Sequence, residues 1–258
     1  YHNGGSMAFG PDGKLYIGVG ENFQPQLAQN MASRFGKLLR INADGTIPGD
    51  NPFFSSASGA NRAIWALGLR NPNNFSFNAT GTLMINDVGE QSWEEVNTGV
   101  AGANYGWPAT EGDFNPATFP AFTRPRFAYF HSHGCAIVGS AFYEPATPTF
   151  PAQYQGAYFF ADYCSGWIRR LDPANGNTVV GFATGIPSPV DLKVADDGSL
   201  YYLQRGGGGA LYRVTYGATA PTITAHPASL AVQPGASATF TVQASGVPPI
   251  RYQWLRGA

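Results

Sequence analysis

Phe9-Gly10-Pro11-Asp12-Gly13-Lys14-Leu15-Tyr16-Ile17 reads as a tight turn feeding an apolar strand. The same arrangement returns as Phe77-Asn78-Ala79-Thr80-Gly81-Thr82-Leu83-Met84-Ile85 and as Val194-Ala195-Asp196-Asp197-Gly198-Ser199-Leu200-Tyr201-Tyr202. A weaker copy is Gln155-Gly156-Ala157-Tyr158-Phe159-Phe160. Glycine supplies the positive φ of the turn, and the strand after it is apolar on both faces, as a strand buried between layers is. Repeats of one turn-and-strand unit suggest propeller blades. Their irregular spacing implies long loops between some strands, and loops at one end of a rigid β scaffold are where function concentrates.

Composition agrees with an all-β chain. The 258 residues include 33 glycines and 20 prolines, and 14% are aromatic, the mix of a turn-rich β protein. Hydrophobic residues make up 43%, ample for a core, whereas charged residues are only 12%, about half the usual ~25%. A net charge of −1 argues against a nucleic-acid partner, which needs a basic face. No apolar run is long enough to span a bilayer. The chain starts at Tyr1 and is expected to be a fragment, so a missing leader carries no weight.

Trp93-Glu94-Glu95-Val96 sets two adjacent carboxylates among apolar neighbours. Such carboxylates are costly unless paired, hydrogen-bonded or bound to a cation. Neighbours on a strand point to opposite faces, so one is expected in solvent and the other turned toward a ligand. Ile64 to Pro72 reads as a strand ending in a proline-marked corner, and Asp113 to Arg126 as a loop. His131-Ser132-His133 with Cys135 has metal-like spacing, to be weighed against a pocket-lining or solvent role. Gly206-Gly207-Gly208-Gly209 lacks the Lys-Ser/Thr of a phosphate loop and reads as a hairpin turn. Composition shifts at Tyr216-Gly217. Beyond it, Pro221-Thr222-Ile223-Thr224, the alternating Ala238 to Val242 and Tyr252-Gln253-Trp254 look like the first strands of an immunoglobulin-like domain, truncated well short of the ~100 residues one needs.

His2-Asn3-Gly4-Gly5, Gly36-Lys37-Leu38-Leu39-Arg40-Ile41 and Ile47-Pro48-Gly49-Asp50-Asn51-Pro52-Phe53 resemble the glucose/sorbosone dehydrogenase family. So do Phe9 to Gly13, Gly68-Leu69-Arg70-Asn71-Pro72 and Asn104-Tyr105-Gly106-Trp107-Pro108. The resemblance implies a six-bladed β-propeller over residues 1–216, with about four blades present and the opening blades upstream, followed by the partial immunoglobulin-like β-sandwich at 217–258. It implies an extracytoplasmic, secreted or periplasmic, sugar dehydrogenase that uses pyrroloquinoline quinone (PQQ) and calcium on an aldose or related sugar.

The same resemblance implies roles. His2 would be the general base at the sugar's anomeric hydroxyl, for which imidazole's near-neutral pKa is suited. Arg70 and Asn71 would hold the quinone, arginine offering a planar fork to its carboxylates. The carbonyls of Gly89 and Glu90 would bind calcium beneath the cofactor. Glu95 and Tyr105 would hold a further calcium, with Glu111 and Asp113 near other ligand positions.

Departures stand beside these matches. Where quinone-binding members carry a lysine, the chain reads Cys164; where they carry an Arg-x-Arg before an aspartate, it reads Ser188-Pro189-Val190-Asp191. Asp87-Val88-Gly89, Trp93 to Val96, Phe127 to His131 and Gly139-Ser140 look more like the branch containing hedgehog-interacting protein. The alternative reading is therefore a non-enzymatic propeller that binds a carbohydrate or protein partner. Cys135 and Cys164 are the only cysteines; an even count in a chain of extracytoplasmic type leads us to expect a disulfide.

Overall fold

The repeated turn is the hairpin between the first and second strands of a sheet. In the computed structural model, strands β1 (Met7–Phe9) and β2 (Leu15–Val19) flank Pro11 to Lys14, β5 (Pro72–Phe77) and β6 (Leu83–Asp87) flank the second copy, and β13 (Pro189–Val194) and β14 (Leu200–Gln204) the third. Gly13, Gly81 and Gly198 adopt φ of 69°, 90° and 81°. Each donates its N–H three residues back, to Gly10, Asn78 and Ala195. The weaker copy opens β10 (Tyr158–Asp162) after β9 (Ile137–Phe142).

The remaining strands complete antiparallel meanders. They are β3 (Lys37–Ile41), β4 (Ile64–Leu67), β7 (Trp93–Thr98), β8 (Phe127–Phe130), β11 (Trp167–Asp172), β12 (Thr178–Ala183) and β15 (Ala210–Val214). The sheets run β1-β2-β3-β4, β5-β6-β7-β8, β9-β10-β11-β12 and β13-β14-β15. The structure describes residues 2–172, 175–176, 178–217, 221–246, 250 and 252–254. Among these, helical structure is confined to short 3-10 turns, at Pro25–Gln29, Gly59–Ala63 and Ala152–Tyr154 and at Asn175.

Successive sheets pack face to face, and each interface is an apolar cluster. Leu38, Leu69, Phe75 and Ile85 join the first sheet to the second. Met84, Ile137, Phe160 and Trp167 join the second to the third. Tyr143, Phe159, Leu192 and Leu200 join the third to the fourth. Burying a side chain of this size is worth about 1.5–3 kcal/mol, so the interfaces carry much of the stability. Polar ties fix their register: the Asn86 amide donates to the Gly139 carbonyl at 2.8 Å and accepts from the Tyr158 hydroxyl at 2.8 Å.

Insertions explain the irregular repeat. Residues 42–63 separate β3 from β4, and residues 99–126 separate β7 from β8. The second insertion climbs alongside β4: Leu67 N–H donates to the Ala103 carbonyl, Tyr105 N–H to Leu67 and Trp107 N–H to Gly68. Gln29 and Asn104 clasp each other's amides at 2.7 and 2.9 Å, and Gln29 also donates to the Trp107 carbonyl.

Three expectations change. The strand expected over 64–72 is divided, because Gly68 turns the chain at φ 75° and Pro72 begins the next sheet. Glu94 and Glu95 are both buried, since packed layers cover both faces of β7. In the C-terminal segment, β16 (Thr222–Ala225) pairs with β17 (Gln243–Ser245), just beyond the strand expected at 238–242. Phe240 and Trp254 there are exposed, with ring centroids 6.3 Å apart. The chain divides into two compact units, Tyr1–Val214 and Thr215–Ala258. Residues 218–220, 247–249, 251 and 255–258 of the expected immunoglobulin-like segment lie outside the described residues, as does Tyr1.

Candidate functional site

An antiparallel meander returns alternate loops to the same end. His2 precedes β1, Glu21 follows β2, Arg70 and Asn71 join β4 to β5, Gly89 and Glu90 join β6 to β7, and His131 follows β8. These loops belong to one end of the sheets by connectivity alone, and the side chains of His2, Glu21 and Arg70 meet there.

His2 is the pivot. Its Nδ1 bonds the Glu21 carboxylate, which is 1% exposed, and its Nε2 lies 3.0 Å from Arg70 Nη2. A guanidinium can only donate, so Nε2 accepts and the proton of the neutral ring sits on Nδ1, facing Glu21. His2 itself has φ 39°, and the Phe23 ring lies 4.1 Å from its own, centroid to centroid. Glu21 also accepts the Phe23 N–H at 3.1 Å, and its second oxygen is buried with no hydrogen-bond partner among the described residues. The sequence reading did not single out Glu21; a lone acid between Gly20 and Asn22 gives no local signal.

Arg70 links His2 to the next sheet. Its Nη1 donates to the carbonyls of Val88, at 2.9 Å, and Gly89. Its guanidinium lies 5.6 Å from the Trp107 ring centroid, and both Arg70 Nε and Trp107 Nε1 are buried without a partner among the described residues. Two orphaned buried donors beside an imidazole are a costly arrangement that an anionic, acceptor-rich ligand would relieve. Asn71 Oδ1 accepts the Gly4 N–H at 3.0 Å and so ties the His2 loop to β5.

Asp87 holds this corner from below. Its two oxygens accept the backbone N–H groups of Arg70 at 2.9 Å and Asn71 at 2.6 Å. Burial pushes its carboxyl up to about 7 despite those bonds. Glu95, its cross-strand partner, accepts the Gly112 N–H and the Asn97 amide. Burial, then the Asp87 charge, then more weakly Glu111, push Glu95 up to about 8. Asn97 Oδ1, on the residue bonded to Glu95, is a buried acceptor with no donor among the described residues. Glu94 is fully buried; it bonds His131 Nε2 at 2.8 Å and accepts the N–H of Ile137 at 3.0 Å, and burial raises its pKa.

The other expected residues divide. Glu111 accepts the Glu90 N–H, so these two are together. Asp113 is exposed and bonded to Arg124, a surface guanidinium that satisfies it without desolvation, and no contact joins it to Glu95 among the described residues. The Tyr105 carbonyl accepts the Thr110 hydroxyl at 3.4 Å, and its own hydroxyl donates to the Thr98 carbonyl. The Gly89 carbonyl already receives Arg70. Among the described residues no three His, Cys, Asp or Glu side chains form a group able to hold a metal.

The metal-like spacing at 131–135 has another use. His131 serves Glu94, His133 lies 3.2 Å from Ser132 Oγ, and Cys135 is disulfide-bonded to Cys164 with Cα atoms 5.6 Å apart. Asp162 organises that bridge, accepting the Cys164 and Ser165 N–H groups on one oxygen and the Tyr129 hydroxyl and Ala136 N–H on the other. Asp191 accepts the Leu192 N–H and the Asn74 amide.

Fold and site together define an all-β protein whose sheets share one polar end, where a carboxylate-oriented imidazole meets a buried guanidinium. A family model for glucose/sorbosone dehydrogenase matches residues 1–213, and the chain belongs to that family. It is 32% identical over 232 residues to the aldose sugar dehydrogenase YliI of Escherichia coli K12, covering 83% of this chain and 60% of that protein. It is 31% identical to the HIPL2 protein of Arabidopsis thaliana, over 76% of this chain and 34% of that protein. Among solved structures, the PQQ-bound form of an aldose sugar dehydrogenase from Streptomyces coelicolor superposes with a TM-score of 0.67 at 26% identity, covering 82% of this chain and 61% of that one. The chain thus spans less than two thirds of these relatives.

Proposed function

We propose that this chain carries the catalytic end of an extracytoplasmic, PQQ-type dehydrogenase acting on an aldose or related sugar. In this reading its four sheets are blades of a six-bladed propeller over residues 1–216, and residues 217–258 begin an immunoglobulin-like module. The observation that carries the proposal is His2, set between Glu21 and Arg70 with its Nε2 lone pair inside the site. A neutral imidazole held in that tautomer is prepared to take the proton of a sugar hydroxyl. Glu21 then faces the imidazolium that results and stabilises it, while its buried position keeps competing water away. Arg70 and Trp107 present the donors that would hold the cofactor's acidic groups, and Asn71 fixes the loop that carries His2. When bound, pyrroloquinoline quinone supplies a two-electron acceptor.

Calcium fits best beside Glu95. A cation there would relieve the repulsion among Asp87, Glu95 and Glu111 and give Asn97 Oδ1 a partner; the Tyr105 carbonyl is a further hard oxygen donor. The disulfide favours the secreted or periplasmic location.

The test is the whole protein with quinone, calcium, an artificial electron acceptor and a panel of aldoses. Turnover that His2→Ala abolishes and Glu21→Gln reduces supports the reading. No turnover and no quinone binding would leave the rival, a binding propeller without redox chemistry. That rival is favoured by one observation: Cys164, where a lysine would serve the quinone, is consumed in the disulfide.

A further inference from the structure

A second set of groups lies along edge strand β8, apart from His2, Arg70 and Glu95. Three cavities adjoin there. One of about 350 Å³ is lined by Trp93, Phe127, Phe130 and Arg169. It shares Phe127 and Arg169 with a cavity of about 480 Å³ that runs to Gly181 and Thr184 on β12 and beyond. It shares Phe127 and Ala128 with a third, of about 250 Å³, that holds Arg124 and Arg126. Together they form one groove between the outer edges of the second and third sheets.

Aromatic rings and cations line the groove. Trp93 and Phe130 meet edge to face at 5.3 Å, and Phe130 is 46% exposed, a large apolar surface left in water. The Arg169 guanidinium lies 4.0 Å from the centroid of Trp167. Among the described residues Arg126 reaches the Gly176 carbonyl, at 3.5 Å. Neither arginine has a carboxylate partner among the described residues, whereas Arg124 is satisfied by Asp113. No acid lines the two larger cavities. Gly181, the cross-strand partner of Arg169, keeps the floor open, because a Cβ there would meet nothing within 4 Å.

We infer that this groove binds an acidic oligosaccharide, with uronate carboxylates on Arg126 and Arg169 and a pyranose face on the exposed Phe130 ring. Charge complementarity selects that occupant: two guanidiniums with no carboxylate partner among the described residues offer bidentate contacts to carboxylates, and the exposed Phe130 ring accepts the apolar face of a sugar ring. A neutral peptide or lipid chain would leave both arginines unanswered.

The experiment is calorimetric titration of the whole protein with oligogalacturonate and with a neutral oligosaccharide of equal length. Only the acidic one should bind, and binding should weaken as salt is raised. Arg169→Gln and Arg126→Gln should each weaken binding roughly tenfold, the loss of about 1.4 kcal/mol. Gly181→Trp should block the groove while leaving sugar oxidation and the melting temperature near wild type, since that glycine has an ordinary φ and open space above it. His2→Ala should bind the oligosaccharide unchanged, which separates the groove from the proposed catalytic site. Equal binding of the neutral oligosaccharide, no binding at all, or full binding by Gly181→Trp would overturn the assignment.

Discussion

In calcium-free buffer the protein should become more stable as pH is lowered from 8.5 to 5. Glu95 and Asp87 are buried carboxyls pushed up to about 8 and about 7. In the unfolded chain both return to about 4. Between those limits the folded state binds more protons than the unfolded one, so stability falls as pH rises. The contribution is fully present below the unfolded values and is lost as pH rises through the folded ones. For Glu95 alone, three pH units below its folded value correspond to about 4 kcal/mol at ~1.36 kcal/mol per unit. Asp87, raised chiefly by burial and then by the Glu94 charge, adds to this. In a domain of this size, about 4 kcal/mol moves the melting temperature by roughly 8–16 °C. Asp50, held by Arg40, and Asp197, held by the Ser199 N–H, titrate below the window, whereas Lys37, pushed down to about 7 by burial, opposes the trend above pH 7 without cancelling it. The assay is thermal unfolding by circular dichroism with EDTA at several pH values, for wild type and Glu95→Gln. The variant should lose the Glu95 share of the slope and keep what Asp87 and Glu94, both raised by burial, contribute. A wild-type melting temperature that is flat or falls from pH 8.5 to 5 would refute the reasoning.

Adding calcium at pH 8 should raise the melting temperature, the more so where Glu95 is ionised, and Glu95→Gln should abolish the increment; a thermal-shift titration reads both. Replacing Cys135 and Cys164 by alanine opens a loop of 29 residues and should cost about 3–4 kcal/mol by chain entropy, measured by urea unfolding. Lys37→Met should loosen residues 25–35, because its buried ammonium donates to the carbonyls of Leu27, Ala28 and Phe35 at 2.8 Å each; faster amide exchange confined to that loop is the expected readout. Asn104→Ala removes the clasp with Gln29 and should lower stability by about 1–3 kcal/mol while disturbing Trp107, seen as a shift in tryptophan emission.

Local chemistry wrote the hairpins plainly. A glycine that must turn at positive φ, followed by residues apolar on both faces, marked the first hairpin of each sheet, and no tertiary knowledge was needed. What the sequence could not show was the partner across a sheet. Glu94 and Glu95 were expected to divide between solvent and interior by strand alternation, yet β7 lies between packed layers and both faces are dry. Asp113 stood close in sequence to the other acids, but Arg124, on the far side of a loop, claimed it. Glu21 carried no motif, since its meaning arises only when β2 ends beside the loop that precedes β1.

Arg70 shows how the site is poised. It spends Nη1 on two backbone carbonyls and Nη2 on the very nitrogen that would accept a proton, and it leaves Nε buried and unanswered. A cation so placed holds the His2 lone pair until a stronger acceptor arrives. An anionic ligand meeting Nε and Trp107 Nε1 would supply one, drawing the guanidinium from Nε2 and freeing it for the substrate hydroxyl. Arg70→Lys keeps the charge but loses the fork. In that variant quinone affinity should fall by more than tenfold, while the Glu21 bond to His2 Nδ1 still holds the ring in place. Lower turnover with unchanged quinone affinity would instead place Arg70 in service of His2 alone.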